Sequence, residues 1–384
     1  MIYCRRCVLP DTRPGLRIGA DGVCSACVAQ TEKSREVDWA DRRRAFEALV
    51  RTNRRRGRGY DCLVPVSGGK DSTWQIVTCL EYGLHPLAVT WKPPARSAIG
   101  ARNLANLVRL GVDHIDYQIN PRVEKKFLYQ ALLRYGATAI PMHMALFGIP
   151  LTLAVTLGIP LVIWGENSAD EYTGSGDASR GHRLDSAWLR THGVTHGTTA
   201  EDWISEELTE QELTPYFRPS DEELSRHHVR AVFLGYYFPW DPLTSFEVAR
   251  AHGFQARAEG PNIGYYPYAD IDDDFISIHH YVKWYKFGFT RLFDNLALEI
   301  RNGRMRRDEA IEIIRMRGDE TPHEDIDAFC RFVEISPAQF FTIIERFRNV
   351  EIWSKRDGTW MIDQFLVPDW RWNERGADRA AARV

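Results

Sequence analysis

Beyond Tyr60 the chain alternates short apolar runs with longer segments in which apolar positions recur every three or four residues. A run of five or so branched and aromatic residues suits a strand buried on both faces, and the longer period suits a helix lying over it. The pattern predicts strands at 62–66, 87–91, 114–119 and 161–165. It predicts helices over 71–82, 97–110, 122–135 and 143–157, with stops at Gly83, Gly111, Gly136 and Gly158. Strands alternating with helices give an α/β fold, a doubly wound parallel sheet. The stretch 168–228 is polar, then glycine-rich, then acidic, and reads as an insertion or mobile lid rather than core. From about 275 to 350 the period is helical. The expected organisation is a small unit at 1–35, a basic helix and linker at 36–59, the α/β domain at 60–270 and a helical region at 271–384.

Composition changes this picture little. With 384 residues and 44% hydrophobic content the chain can bury a large core, which excludes disorder. A formal net charge of -3 offers no global attraction to nucleic acid, so no nucleic-acid partner is expected. No stretch approaches the ~20 apolar residues of a membrane helix, and Met1 to Arg5 lacks the layout of a signal peptide. The expected location is cytoplasmic, away from membranes.

The seven cysteines are too few for a disulfide scaffold in a chain of this size. Four of them form two knuckles, Cys4-x-x-Cys7 and Cys24-x-x-Cys27, and two such knuckles turned toward one point make a closed tetrahedral site for structural zinc. Four reduced thiols without metal are the alternative. Residues 31–58 carry Arg42, Arg43, Arg44, Arg51, Arg54, Arg55, Arg56 and Arg58 around an apolar stripe of Trp39, Phe46, Leu49 and Val50. A solvated surface helix and a phosphate-binding arm both fit that stretch.

The sharpest signal is Ser67-Gly68-Gly69-Lys70-Asp71-Ser72, which follows the strand at 62–66 and opens the next helix. Glycines let successive backbone N–H groups face an anion, and the helix N-terminus adds its positive end. Lys70 supplies a point charge, Ser67 and Ser72 supply hydroxyls, and Asp71 is expected to cap the first turn while orienting a metal or a partner. A Walker A loop is excluded, since position 64 is Val and position 71 is Asp.

This loop resembles the pyrophosphate-binding loop of the PP-loop ATP pyrophosphatases. A narrower resemblance rests on several features together. They are the double Cys knuckle, the loop, Gly165-Glu166-Asn167 with Glu171, the run from Lys283 through Lys286 to Arg291, and Glu299 to Arg304. In combination they are similar to the N-acetyl sugar amidotransferases of surface-polysaccharide synthesis. The resemblance implies ATP cleavage between the α and β phosphates with Mg²⁺, and transfer of AMP to the carbonyl oxygen of an acetamido sugar, nucleotide-linked in all expectation. Ammonia nitrogen then replaces that oxygen. Lys70, Asp71 and Glu166 are the expected catalytic residues, with Ser67 to Ser72 on the ATP phosphates.

Asn167, Glu171, His279, Lys283, Lys286 and Arg291 are the further residues for substrate or Mg²⁺. Residue spacing alone leaves Glu166 open to a bland role as a satisfied loop carboxylate. His279, Lys283 and Lys286 share one helix face, which suits either an anion or solvent. The acidic run Asp270 to Asp274 reads as a helix cap ahead of Phe275 or as a Mg²⁺ site. The rival class is a tRNA thiolase, which would need reactive cysteines near the loop, where only Cys62, Cys79 and Cys330 remain. No segment reads as a glutaminase with its own Cys nucleophile, so nitrogen is expected as free ammonia or from a separate glutaminase subunit.

Overall fold

The computed structural model describes residues 1–54, 59–174 and 183–372. Arg55, Arg56 and Arg58 of the basic stretch, part of the supposed insertion (175–182) and the last residues of the tail (373–384) lie outside the described residues.

The centre is a five-stranded sheet of β1 (Cys62–Pro65), β2 (Pro86–Trp91), β3 (Asp113–Tyr117), β4 (Leu161–Trp164) and β5 (Arg230–Phe233). The order is β3-β2-β1-β4-β5 and every pairing is parallel. β1 is buried at all four positions, as its unbroken apolar run requires of a central parallel strand. The chain winds outward from β1 through β2 to β3, then crosses to β4 and β5. The crevice between β1 and β4, beyond their carboxyl ends, is therefore the switch point where such sheets hold ligands.

Helices α3 (Lys70–Glu81), α4 (Ala98–Val108), α5 (Pro121–Tyr135) and α6 (Ala139–Leu157) connect the strands. They follow α1 (Ser25–Glu36) and α2 (Trp39–Asn53), which precede β1. The expected glycine stops hold: Gly136 and Gly158 close α5 and α6 with φ of 54° and 62°, a left-handed conformation that glycine adopts without a Cβ clash. One expectation fails at α6. This 19-residue helix is long and apolar enough to cross a membrane, yet half of it is buried inside the fold, where it packs on β1, β2 and β4. Its uniform hydrophobicity comes from covering a sheet face while itself being overlaid.

Among its described residues the stretch 168–228 is packed into the core rather than being the insertion or mobile lid expected. It holds α7 (Ser168–Thr173), α8 (Ser186–His192) and α9 (Asp221–Arg226), and it buries Trp188, Trp203, Leu208, Leu213 and Tyr216 in the same core as Leu63 and Val162. A few large anchors among many polar residues fix it. Each such side chain contributes about 1.5–3 kcal/mol when buried, so periodicity is not needed. The basic stretch is likewise partly docked. Phe46, Leu49 and Val50 of α2 are buried, and the Arg42 guanidinium lies 3.3 Å from the centre of the Tyr236 ring.

After α10 (Pro242–Ala251) come α11 (Ile276–Phe287), α12 (Arg291–Arg301), α13 (Arg307–Arg317), α14 (His323–Val333) and α15 (Pro337–Glu345). This region is not wholly helical: β6 (Trp353–Arg356) and β7 (Thr359–Ile362) form an antiparallel hairpin. Trp353 of the hairpin meets Trp284 edge-on, with ring centres 5.2 Å apart. The N-terminal knuckles pack on these helices. Arg307 Nε donates to the carbonyl of Cys7 at 2.9 Å, and Thr12 Oγ1 donates to that of Phe287 at 2.6 Å.

Candidate active site

The segment 67–69 leaves β1 at the switch point and turns directly into α3. Gly68 has φ of 90°, and a Cβ there would stand 2.8 Å from the backbone nitrogen of Leu104, so only glycine lets the loop pass α4. Ser72 Oγ accepts from the Ser67 amide at 2.9 Å, and Ser67 Oγ accepts from the Gly69 amide at 3.2 Å, which closes the loop on itself. Gly69 is the N-cap of α3 and no side chain caps the helix. The first amides of the helix are thus left for an anion.

Asp71 therefore does not cap, contrary to expectation. Its Oδ2 pairs with Lys70 Nζ, and its Oδ1 accepts from Trp240 Nε1 at 2.9 Å. Trp240 also lies 5.6 Å from Lys70 Nζ, near enough for a cation–π contact. Nothing in the local sequence pointed to Trp240. It arrives from the loop after β5, where a tryptophan beside Pro239 reads as ordinary packing.

Glu166 follows β4 on the other side of the crevice. Burial, and then the Asp71 carboxylate, push its carboxyl up to about 7, with Lys70 opposing. Asp272 belongs to the acidic run that the sequence offers as a helix cap or a Mg²⁺ site. Burial holds its carboxyl above the ordinary range, opposed by the Ser67 side chain, with Asp270 and Asp71 adding to the rise. Asp273 Oδ1 accepts from the Phe275 amide at 3.1 Å, but no side chain caps the first turn of α11, so the capping role expected of the acidic run is not taken. Several carboxylates crowd one lysine here, a charge imbalance that a divalent cation relieves. Asp272 and Asp71 fit Mg²⁺, which takes one or two carboxylates together with phosphate oxygens.

Two expected site residues have other work. Asn167 is buried as the N-cap of α7, its Oδ1 accepting from the Ala169 amide and from Trp188 Nε1 at 3.1 Å. Glu171 is buried against Lys33 of α1, which pairs with its Oε1. Both hold the 168–173 segment in place, and Glu171 also raises the carboxyl of Glu166.

Beside the crevice is a cavity of about 450 Å³, a volume in the range of small-molecule sites. His279, Lys283 and Lys286 all line it, so the structure brings the predicted helix face to one space. Arg291 stands behind the wall, paired with Asp270 at 2.8 Å. Burial lowers Lys283 to about 8 despite Asp294, and burial alone lowers Lys286 to about 8. The cavity connects to the loop through Tyr172, a lining residue whose ring centre is 6.2 Å from that of Trp240.

The four knuckle thiols are buried, and their sulfurs all lie within 4.8 Å of one another. Cys7 Sγ and Cys24 Sγ are 3.7 Å apart, close to the ~3.8 Å edge of a tetrahedron with zinc–sulfur bonds of about 2.3 Å. Cys4 Sγ accepts from the amides of Arg6, Cys7 and Cys24 at 3.2–3.4 Å, bonds that favour the thiolate. The donor set fits zinc. The other three cysteines, Cys62, Cys79 and Cys330, are buried in packed elements, which leaves the thiolase reading without a reactive thiol.

Residues 254–366 match the family model described as LPS biosynthesis protein WbpG-like, C-terminal domain. No curated protein matches the chain. Among solved structures, NMN synthetase from Francisella tularensis matches at 15% identity over 50% of this chain and 94% of its own, with a TM-score of 0.26. The segment that is similar to this family contains Asp272, His279, Lys283, Lys286 and Arg291.

Proposed function

We propose that the chain uses ATP to adenylate the acetamido carbonyl oxygen of an N-acetyl sugar and then replaces that oxygen with ammonia nitrogen. The observation that carries this reading is the open loop Ser67 to Ser72 at the switch point, with its uncapped helix and buried Lys70, next to a cation-lined cavity. An amide is inert to ammonia because its oxygen is a poor leaving group. The loop amides, Lys70 and the α3 N-terminus favour the charge that accumulates on pyrophosphate as the carbonyl oxygen attacks the α-phosphorus. Asp71, fixed by Trp240, holds Lys70 in position. Asp272 and Asp71 would hold Mg²⁺, which would supply further neutralisation of the phosphates.

The adenylated oxygen then departs with AMP when ammonia attacks the imidate carbon, and loss of a proton gives the acetamidino sugar. Glu166, with a carboxyl raised to about 7, is the group in this reading that accepts that proton. Lys283 and Lys286 suit the phosphates of a nucleotide-linked sugar. The nitrogen enters as free ammonia or from a separate glutaminase subunit, and the protein works in the cytoplasm. Mass spectrometry of acetamido sugars incubated with the protein, ATP, Mg²⁺ and ammonium tests the proposal. It expects replacement of O by NH, and an unchanged sugar across nucleotide-linked and free forms contradicts it.

A further inference from the structure

The cavity is not built by the α/β and helical domains alone, for Arg13, Pro14 and Gly15 of the N-terminal cysteine unit form part of its wall. Arg13 reaches it from the loop between the two knuckles. Its Nε donates to Asp294 Oδ1 at 2.7 Å and its Nη1 to the carbonyl of Pro14 at 3.3 Å. Its guanidinium carbon lies 5.7 Å from the Tyr172 ring centre, so the side chain stands beside the residue that links cavity to loop.

The charges around Arg13 do not balance. Lys283 Nζ is 3.7 Å from Asp294 Oδ2, so Arg13 and Lys283 share one fully buried carboxylate. Arg291 uses Asp270. Lys286 donates to the Tyr135 carbonyl at 3.0 Å and touches His196, meeting no carboxylate among the described residues. Four cations therefore face two carboxylates. Among the described residues the lining holds Arg190 and three histidines as well, with no Asp or Glu. Buried cations without counter-charge are costly, and an anion that enters the cavity supplies what the protein withholds.

We infer that Arg13 is a substrate-binding residue, that the cysteine unit thereby completes the cavity, and that the cavity takes a ligand bearing at least two negative charges, of the diphosphate class. The inference rests on the cavity being the substrate site of the proposed reaction. It makes the knuckles more than a stabilising clip: they hold the loop that presents Arg13, and Arg307 and Thr12 dock that loop on α11 to α13.

The test is calorimetric binding of UDP, with uridine as its neutral counterpart, to the full chain saturated with α,β-methylene ATP so that the phosphate loop is already filled. Wild type is expected to bind UDP and not uridine. Arg13→Ala is expected to weaken UDP binding about tenfold or more, the scale of one lost charge-assisted hydrogen bond, with Arg13→Lys recovering part of it. Equal UDP affinity in wild type and Arg13→Ala overturns the inference. Hydrogen exchange on wild type covers the case of a variant that does not fold. UDP should protect amides around residues 12–16, and unchanged exchange there also overturns it. A wild-type chain that binds UDP through Arg13 but releases no pyrophosphate from ATP supports this inference while contradicting the proposed reaction, so the two stand or fall separately.

Discussion

Trp240 donates its indole hydrogen to Asp71 Oδ1 at 2.9 Å, and through that bond a residue beyond β5 fixes the carboxylate that pairs with Lys70. Asp71 is thus oriented from outside its own helix. Trp240→Phe keeps the ring near Lys70 and deletes only the N–H. We expect pyrophosphate release to slow about ten- to hundredfold, the range for losing a hydrogen bond to a charged group. Far-UV circular dichroism should stay as in wild type. An unchanged rate would show that Asp71 needs no such support.

The cysteine unit is expected to hold one zinc per chain, measured by elemental analysis of freshly purified protein. Cys24→Ser removes a sulfur that sits 3.7 Å from Cys7 Sγ, and it should lower metal content and thermal stability together. A metal-free wild type of full stability would contradict the assignment.

Glu124 makes the pH dependence of stability testable away from the reaction. It is buried, accepts from Trp91 Nε1 at 2.9 Å, and burial raises its carboxyl from 4.5 to about 8. Between those values the folded chain keeps a proton that the unfolded chain releases. Stability therefore falls as pH rises from about 4.5 to about 8, and is level beyond. Glu124→Gln should remove that contribution. Urea midpoints of wild type and variant should diverge as pH rises through this window, with the variant the more stable at high pH; parallel curves would refute the prediction.

Nitrogen supply gives another outcome. The purified chain should turn over with ammonium salts and give no useful turnover with glutamine, read as glutamate release. Efficient glutamate release by the chain alone would show that it carries its own glutaminase site.

Much of the sheet was legible because β1, β2 and β4 are unbroken apolar runs, and the loop was legible because Gly68 and Gly69 sit between a strand and a helix. Local spacing carries that information. Trp240 and Arg13 were not legible as site neighbours, since tertiary packing alone brings them there from beyond β5 and from between the knuckles. Asn167 and Glu171 show a related point: a polar residue after a strand reads the same whether or not it anchors the next helix, and their partners Trp188 and Lys33 come from elsewhere in the chain. The 168–228 stretch was misjudged because three widely spaced aromatic anchors, Trp188, Trp203 and Tyr216, leave no period to detect.

The most direct measurement follows the oxygen. An N-acetyl sugar that the enzyme accepts, labelled with ¹⁸O in its acetamido carbonyl, is incubated with ATP, Mg²⁺ and ammonium, and the phosphorus products are read by mass spectrometry. Adenylation of the carbonyl oxygen predicts ¹⁸O in the phosphate of AMP and none in pyrophosphate. Label in orthophosphate alongside ADP, or unlabelled AMP, would contradict it.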